Sequence, residues 1–167
     1  KNELRMEAIP TPAYMQGEMH PVIRSADGMI FVGGGHLSKT ATCIMIDPRD
    51  DSVTEFGSLG PSHAPTRCFN YYMGVDDTHV YIASGKVPWY LLAVDRVTKK
   101  STTLAKTANT GGMVVVEQQT HGITARVFTG PGNKRQDYWL HRGKLVPKSA
   151  PCPWGKTGVD WQKSLPP

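Results

Sequence analysis

The feature that most limits what this chain can fold into is one plan, written three times along it. Each copy strings together short apolar segments separated by turn residues. The first copy predicts extended stretches over 19–24, 29–32, 41–46 and 53–56, and the second over 69–75, 79–83, 89–94 and 101–104. The third predicts them over 113–118, 123–129 and 138–141, followed by a turn at Arg142-Gly143-Lys144. Turns fall at matching places: Ser25-Ala26-Asp27-Gly28, Asp76-Asp77-Thr78 and Thr120-His121-Gly122 after the first stretch of each copy. Asp-Gly between apolar runs is a strong hairpin signal. After the third stretch come Asp47-Pro48-Arg49-Asp50-Asp51 and Asp95 to Lys100. Asp77 follows Asp27 by 50 positions, and Asp95 follows Asp47 by 48. No stretch has helical periodicity of useful length.

Repeats of about 45 to 50 residues, each of four short antiparallel strands, are the pattern of β-propeller blades. The predicted fold is therefore all-β, a partial propeller of three four-stranded blades, with a fourth, incomplete blade possible in principle at the end. The blades fall at approximately 19–59, 68–105 and 112–147, and 148–167 is a connection or the start of a next blade. Propellers have about four to eight blades, so three do not close a ring. The remaining blades are expected from a missing part of the chain or from a partner chain. The 17 Gly and 13 Pro suit so many turns, and 39% apolar residues suffice for a core. Ile30, Val32, Val80, Ile82 and Val127 are expected to be buried between neighbouring blades, because they alternate along the second strands. Apolar runs such as 90–94 and 113–116 fall far short of the roughly 20 residues of a membrane-spanning helix, so no membrane partner is expected.

The wording of the blades resembles that of kelch-type propellers over roughly residues 19 to 145: an apolar strand, a Gly-rich loop, and a strand ending in Asp47 or Asp95. Gly33-Gly34-Gly35 matches the kelch double glycine in part, while Ser84-Gly85 and Thr129-Gly130 do not repeat it. The His-to-Trp-Asp signature of WD repeats is absent. Within this frame, Arg67 to Asp95 is similar to bacterial polysaccharide-lyase propellers such as ulvan-lyase-like enzymes. That resemblance implies an anionic polysaccharide partner and a secreted or periplasmic location. The chain starts at Lys1, which leaves open a removed leader or a start inside a longer protein.

Propeller topology sorts the connections by face. Those between second and third strands, and between blades, share one face: 33–40, 60–68, 84–90, 105–112 and 129–137. They carry Lys39, Arg67, Lys86, Lys106, Lys134 and Arg135 against Asp137 alone. The hairpin turns of the opposite face hold seven acids and six Lys or Arg residues. The formal net charge of +5 is thus concentrated on the face where propellers usually bind ligands. A cleft of one sign draws oppositely charged ligands, here anions.

Five residues of that face, with Tyr72 on a predicted channel-lining strand, are the candidate site. His36 and His63 are candidate bases, since imidazole takes a proton near neutral pH. Arg67 and Lys86 are candidate binders of a uronate carboxylate, whose neutralisation eases removal of the adjacent proton in β-elimination. Tyr72, or its neighbour Tyr71, is placed to protonate the leaving oxygen; alternation turns only one of them inward. Trp89 offers a face on which a sugar ring can stack. Against these roles stand plainer ones: His36 as a turn residue, His63 as a loop residue, Trp89 as blade packing.

Other chemistry is poorly served. Gly33 to His36 and Gly130-Pro131-Gly132-Asn133-Lys134 lack phosphate-loop spacing and a following helix. Asp47, Asp50 and Asp51 depart from the EF-hand pattern, and Cys43, Cys68 and Cys152 lack zinc spacing. One disulfide with a free thiol, or three unpaired thiols, both remain open. Neither a metal nor a cofactor is expected, and no nucleic-acid-binding module is present. The function expected is a carbohydrate-active propeller that binds an acidic, uronate-containing polysaccharide and has residues suited to cleaving it by β-elimination. The alternative is a non-catalytic propeller scaffold for protein or glycan binding.

Overall fold

The computed structural model describes residues 21–34, 41–60, 69–85, 88–108, 112–129 and 134–155. They form twelve strands and, among the described residues, no helix. The first sheet holds β1 (Val22–Arg24), β2 (Ile30–Gly34), β3 (Thr42–Asp47) and β4 (Ser52–Glu55). The second holds β5 (Phe69–Val75), β6 (His79–Gly85), β7 (Trp89–Asp95) and β8 (Ser101–Lys106). The third holds β9 (Gly112–Gln119), β10 (Gly122–Thr129), β11 (Lys134–His141) and β12 (Lys144–Pro147). Each sheet is a four-stranded antiparallel meander in chain order. The fold is all-β, three blade-like sheets that do not close on themselves.

Alternation along the strands makes each sheet two-faced, and the sheets stack by their apolar faces. Phe31, Cys43 and Phe56 of the first sheet meet Val80, Ile82 and Leu92 of the second in one core. Tyr81, Leu91 and Ala93, on the other side of the second sheet, meet Val114, Ile123 and Leu140 of the third. The first strands run close to one another, with β5 lying against both β1 and β9. Gly74 on β5 makes this approach possible: a Cβ there would sit 2.6 Å from Ile123 Cγ2.

Val80, Ile82 and Val127 are buried between sheets, as their strand positions predict. Ile30 and Val32 are not. They are only partly buried and pack with Ile44, Ile46 and Val53 in a separate cluster, while Met29 and Phe31 face the second sheet. Both sets of side chains on this strand are apolar, so alternation alone does not say which faces inward. The cross-strand register, Phe31 opposite Met45 and beside Cys43, decides it for the Phe31 side.

The paired Asp positions occupy equivalent places. Asp27 and Asp77 lie in the turns β1–β2 and β5–β6, and Asp47 and Asp95 end β3 and β7. The last two cap their turns alike, Asp47 Oδ1 accepting from the Arg49 N–H at 3.0 Å and Asp95 Oδ1 from the N–H groups of Val97 and Thr98. A carboxylate two or three residues before a free amide is a common way to close such turns.

The third sheet departs from expectation in one respect. β11 begins at Lys134, four residues before the predicted 138, and pairs along its whole length with β10 from Thr129↔Lys134 to Ile123↔Leu140. Lys134, Arg135 and Asp137 are therefore strand residues and not members of a loop.

Candidate functional site

The two ends of the stack are built differently. At the end that carries the β1–β2 and β3–β4 hairpins and their counterparts, neighbouring sheets are pinned by a repeated ion pair. Asp27, in the first turn of the first sheet, accepts from Arg96 Nη2 at 2.6 Å, and Arg96 follows the third strand of the second sheet. Asp77 accepts from Arg142 Nη2 at 3.1 Å, one sheet further on. Arg96 is the tighter pin: its side chain is 10% exposed, donates to the carbonyls of Asp76 and Asp77, and lies 5.1 Å from the Phe31 ring centroid.

Beside these pins sits Asp76, which is 2% exposed. Its Oδ1 accepts from the N–H groups of Thr78 and His79 and from the Thr78 hydroxyl. Its Oδ2 accepts from the Tyr81 hydroxyl at 2.6 Å and from the Arg142 N–H at 2.7 Å. Tyr81 in turn accepts from the Gly143 N–H at 2.8 Å. Two consecutive amides of the β11–β12 turn of the third sheet are thus held by an acid and a phenol of the second. Burial pushes the Asp76 carboxyl up, but the hydrogen bonds from Tyr81 and the backbone outweigh it and leave the pKa below the usual carboxylate value. Burial and the facing Asp76 carboxylate push the Tyr81 phenol far up, so it stays protonated as a donor.

Because these pins bring all three hairpin ends together, the other connections leave from the opposite end of the stack. The β2–β3 connection departs at Gly34, β6–β7 at Gly85 and β10–β11 at Thr129. Gly85 has φ +120°, and a Cβ there would meet the Pro88 carbonyl at 2.4 Å, so the end of β6 requires glycine. Past β8, Thr107 is tied to the start of β7: its N–H donates to the Trp89 carbonyl, and its hydroxyl accepts from the Trp89 N–H. Lys106, exposed at the end of β8, holds its ammonium 5.5 Å from the Tyr90 ring centroid.

Of the six candidate site residues, His36, His63, Arg67 and Lys86 lie outside the described residues. Tyr72 lies on β5 just past a register shift between Asn70 and Tyr72, which breaks the simple alternation assumed for Tyr71 and Tyr72. It is partly buried against the core between the second and third sheets; the Tyr71 side chain is outside the described set. Trp89 is 8% exposed and belongs to the same core. With Lys134, Arg135 and Asp137 assigned to β11 and Lys106 to the end of β8, the loop connections keep Lys39, Arg67 and Lys86, and no acid. Among the described residues no group of three or more His, Cys, Asp or Glu side chains is gathered for a metal ion.

The sequence reading missed the Asp76–Tyr81 pair and the Asp–Arg pins. The signal was present in part: an Arg follows the last residue of the third strand in both the second and third copies, Asp95-Arg96 and His141-Arg142. Compared with known proteins, the chain matches no protein-family model and no curated protein.

Proposed function

We propose that this chain is the segment of a carbohydrate-active propeller that binds an acidic, uronate-containing polysaccharide at its loop end. The kelch-like wording of the blades and the likeness of Arg67 to Asp95 to ulvan-lyase-like propellers belong to this same proposal. The observation that carries it is the single sign of the loop connections, which hold Lys39, Arg67 and Lys86 and no Asp or Glu. The hairpin end supports the contrast, because the three arginines of its turns, Arg49, Arg96 and Arg142, are each paired with an aspartate. A cationic rim of this kind concentrates polyanions and speeds their arrival.

Cleavage is the second step of the proposal. Arg67 or Lys86 would neutralise the uronate carboxylate, His36 or His63 would take the adjacent proton, and Tyr72 would return one to the leaving oxygen. The competing reading is a non-catalytic scaffold for protein or glycan binding, favoured by the packing of Tyr72 and Trp89 into a core.

Incubation with uronic-acid polysaccharides, followed for binding and for new unsaturated sugar ends, separates the two. Arg67→Ala is expected to weaken binding, by less at high salt where screening already cuts the attraction. His36→Ala or His63→Ala is expected to abolish turnover while largely sparing binding. Binding without unsaturated ends selects the scaffold, and no binding to any uronate polymer rejects the proposal.

A further inference from the structure

The outer face of the third sheet, turned away from the second, is charged where the inner faces of the stack are apolar. Strand alternation places Glu117 of β9, Thr124 and Arg126 of β10, and Arg135 and Asp137 of β11 on this face. With Lys148, just past β12, they line a polar cavity of about 90 Å³. Three cations face two carboxylates there, so the lining carries one uncompensated positive charge.

The hydrogen bonds show where that charge is available. Arg135 is spent, its Nε and Nη2 both donating to Asp137 at 2.7 Å. Arg126 directs Nη2 to Glu117. Its Nε is buried and has no acceptor among the described residues. A buried donor left unpaired bears its full desolvation cost, which makes it an unusual thing to find beside a cavity. The Lys148 ammonium makes no ion pair among the described residues and lies 4.5 Å from the Trp139 ring centroid.

We propose that this cavity is an oxyanion site that takes one carboxylate or sulfate group, with the Arg126 guanidinium and Lys148 Nζ as its cations. One monoanion brings the lining to neutrality. On this measure a cavity needs only about 10–15 Å³ to hold a water, so there is room for one such group. The anion is a free ion or a group projecting from a larger molecule. For a glycan, the Trp139 ring beside Lys148 supplies an apolar surface next to the charged group. The site lies on a sheet face and does not rest on the loop-end reading.

The test titrates the chain with sodium sulfate and, separately, with trigalacturonate, at an ionic strength held constant with chloride, by calorimetry and by amide chemical shifts. Saturable binding of at least one is expected, with shifts centred on Arg126 and Lys148. Saturation by sulfate assigns the site to free oxyanions as well, and saturation by trigalacturonate alone assigns it to glycan carboxylates. Arg126→Lys keeps the charge and removes the Nε donor, and Lys148→Gln removes the exposed cation without touching a core. Each is expected to weaken binding about tenfold or more, as the loss of a charge-assisted hydrogen bond implies. Lys100→Gln, which removes an exposed cation from the β7–β8 turn of the second sheet, is expected to leave sulfate binding unchanged. Absence of saturation by both anions, or equal affinities in the wild type, Arg126→Lys and Lys148→Gln, overturns the proposal.

Discussion

Asp76→Asn is the most incisive single change in the part of the fold described here. It conserves shape and removes only the charge and one acceptor. The carboxylate accepts three hydrogen bonds at Oδ1 and two at Oδ2. An asparagine can offer its oxygen to one of these groups and must turn its NH2 toward the other. With the oxygen kept at the Oδ1 position, the Arg142 N–H faces a donor and the Tyr81 hydroxyl loses its acceptor. Hydrogen bonds to a charged group are worth about 1.5–3 kcal/mol each, so losing two costs about 3–6 kcal/mol. That is a large share of the roughly 5–15 kcal/mol typical of a folded domain, and corresponds to a drop in Tm of about 6–24 °C.

The pH dependence has a definite sign. The folded-state pKa of Asp76 lies below its ordinary value, so its contribution is present above the unfolded pKa. It is lost as pH falls through the folded pKa. The wild type is therefore expected to exceed Asp76→Asn in stability at neutral pH, with the gap narrowing on acidification below about pH 4. Urea unfolding followed by far-UV circular dichroism at several pH values measures this. Amide hydrogen exchange should show Arg142 and Gly143 losing protection first in the variant, since both amides bond to this pair. A variant within about 1 kcal/mol of the wild type at pH 7, or a gap that does not narrow with acid, would refute the argument that this buried carboxylate fastens the third sheet to the second.

Arg96→Ala is expected to cost about 1–2 kcal/mol and Asp27→Ala less than about 1 in denaturant titrations. Arg96 also covers Phe31 and bonds to two carbonyls, whereas the Asp27 side chain is 53% exposed. Gly74→Ala is expected to lower stability by about 1–3 kcal/mol in the same assay, because the new methyl would overlap Ile123 between β5 and the third sheet. In native protein, thiol-modification kinetics are expected to show Cys152 reacting and Cys43 protected until unfolding. Cys43 is fully buried, and burial pushes its thiol pKa far up, while Cys152 is partly exposed.

Much of this architecture was legible along the chain. Turn residues recurring 48 to 50 positions apart, between short apolar runs, specify three four-stranded meanders through local chemistry alone. In the first two copies an aspartate at the end of the third strand accepts from the amides of the turn that follows, as Asp47 and Asp95 do, so neighbours in sequence suffice to mark the place. The candidate site was legible only as a sign of charge on one set of connections. The roles assigned to His36, His63, Arg67 and Lys86 are testable by substitution, and Tyr72 and Trp89 turned out to pack against the core of the second and third sheets.

Tertiary structure decided what depends on which faces meet. Phe31, and not Ile30 or Val32, turns toward the second sheet because the registered partner strand brings Cys43 and Met45 to that side. Residues 134–137 continue β11 although Gly and Pro precede them in the sequence, because β10 offers them a full row of backbone partners. Asp27 and Arg96 are 69 positions apart and Asp76 and Arg142 are 66 apart, and no local rule joins them. They meet because stacked sheets set the first turn of one beside the third-strand turn of the next. Burial of Arg96 and Asp76 makes these two charges depend on partners that only the stacking supplies.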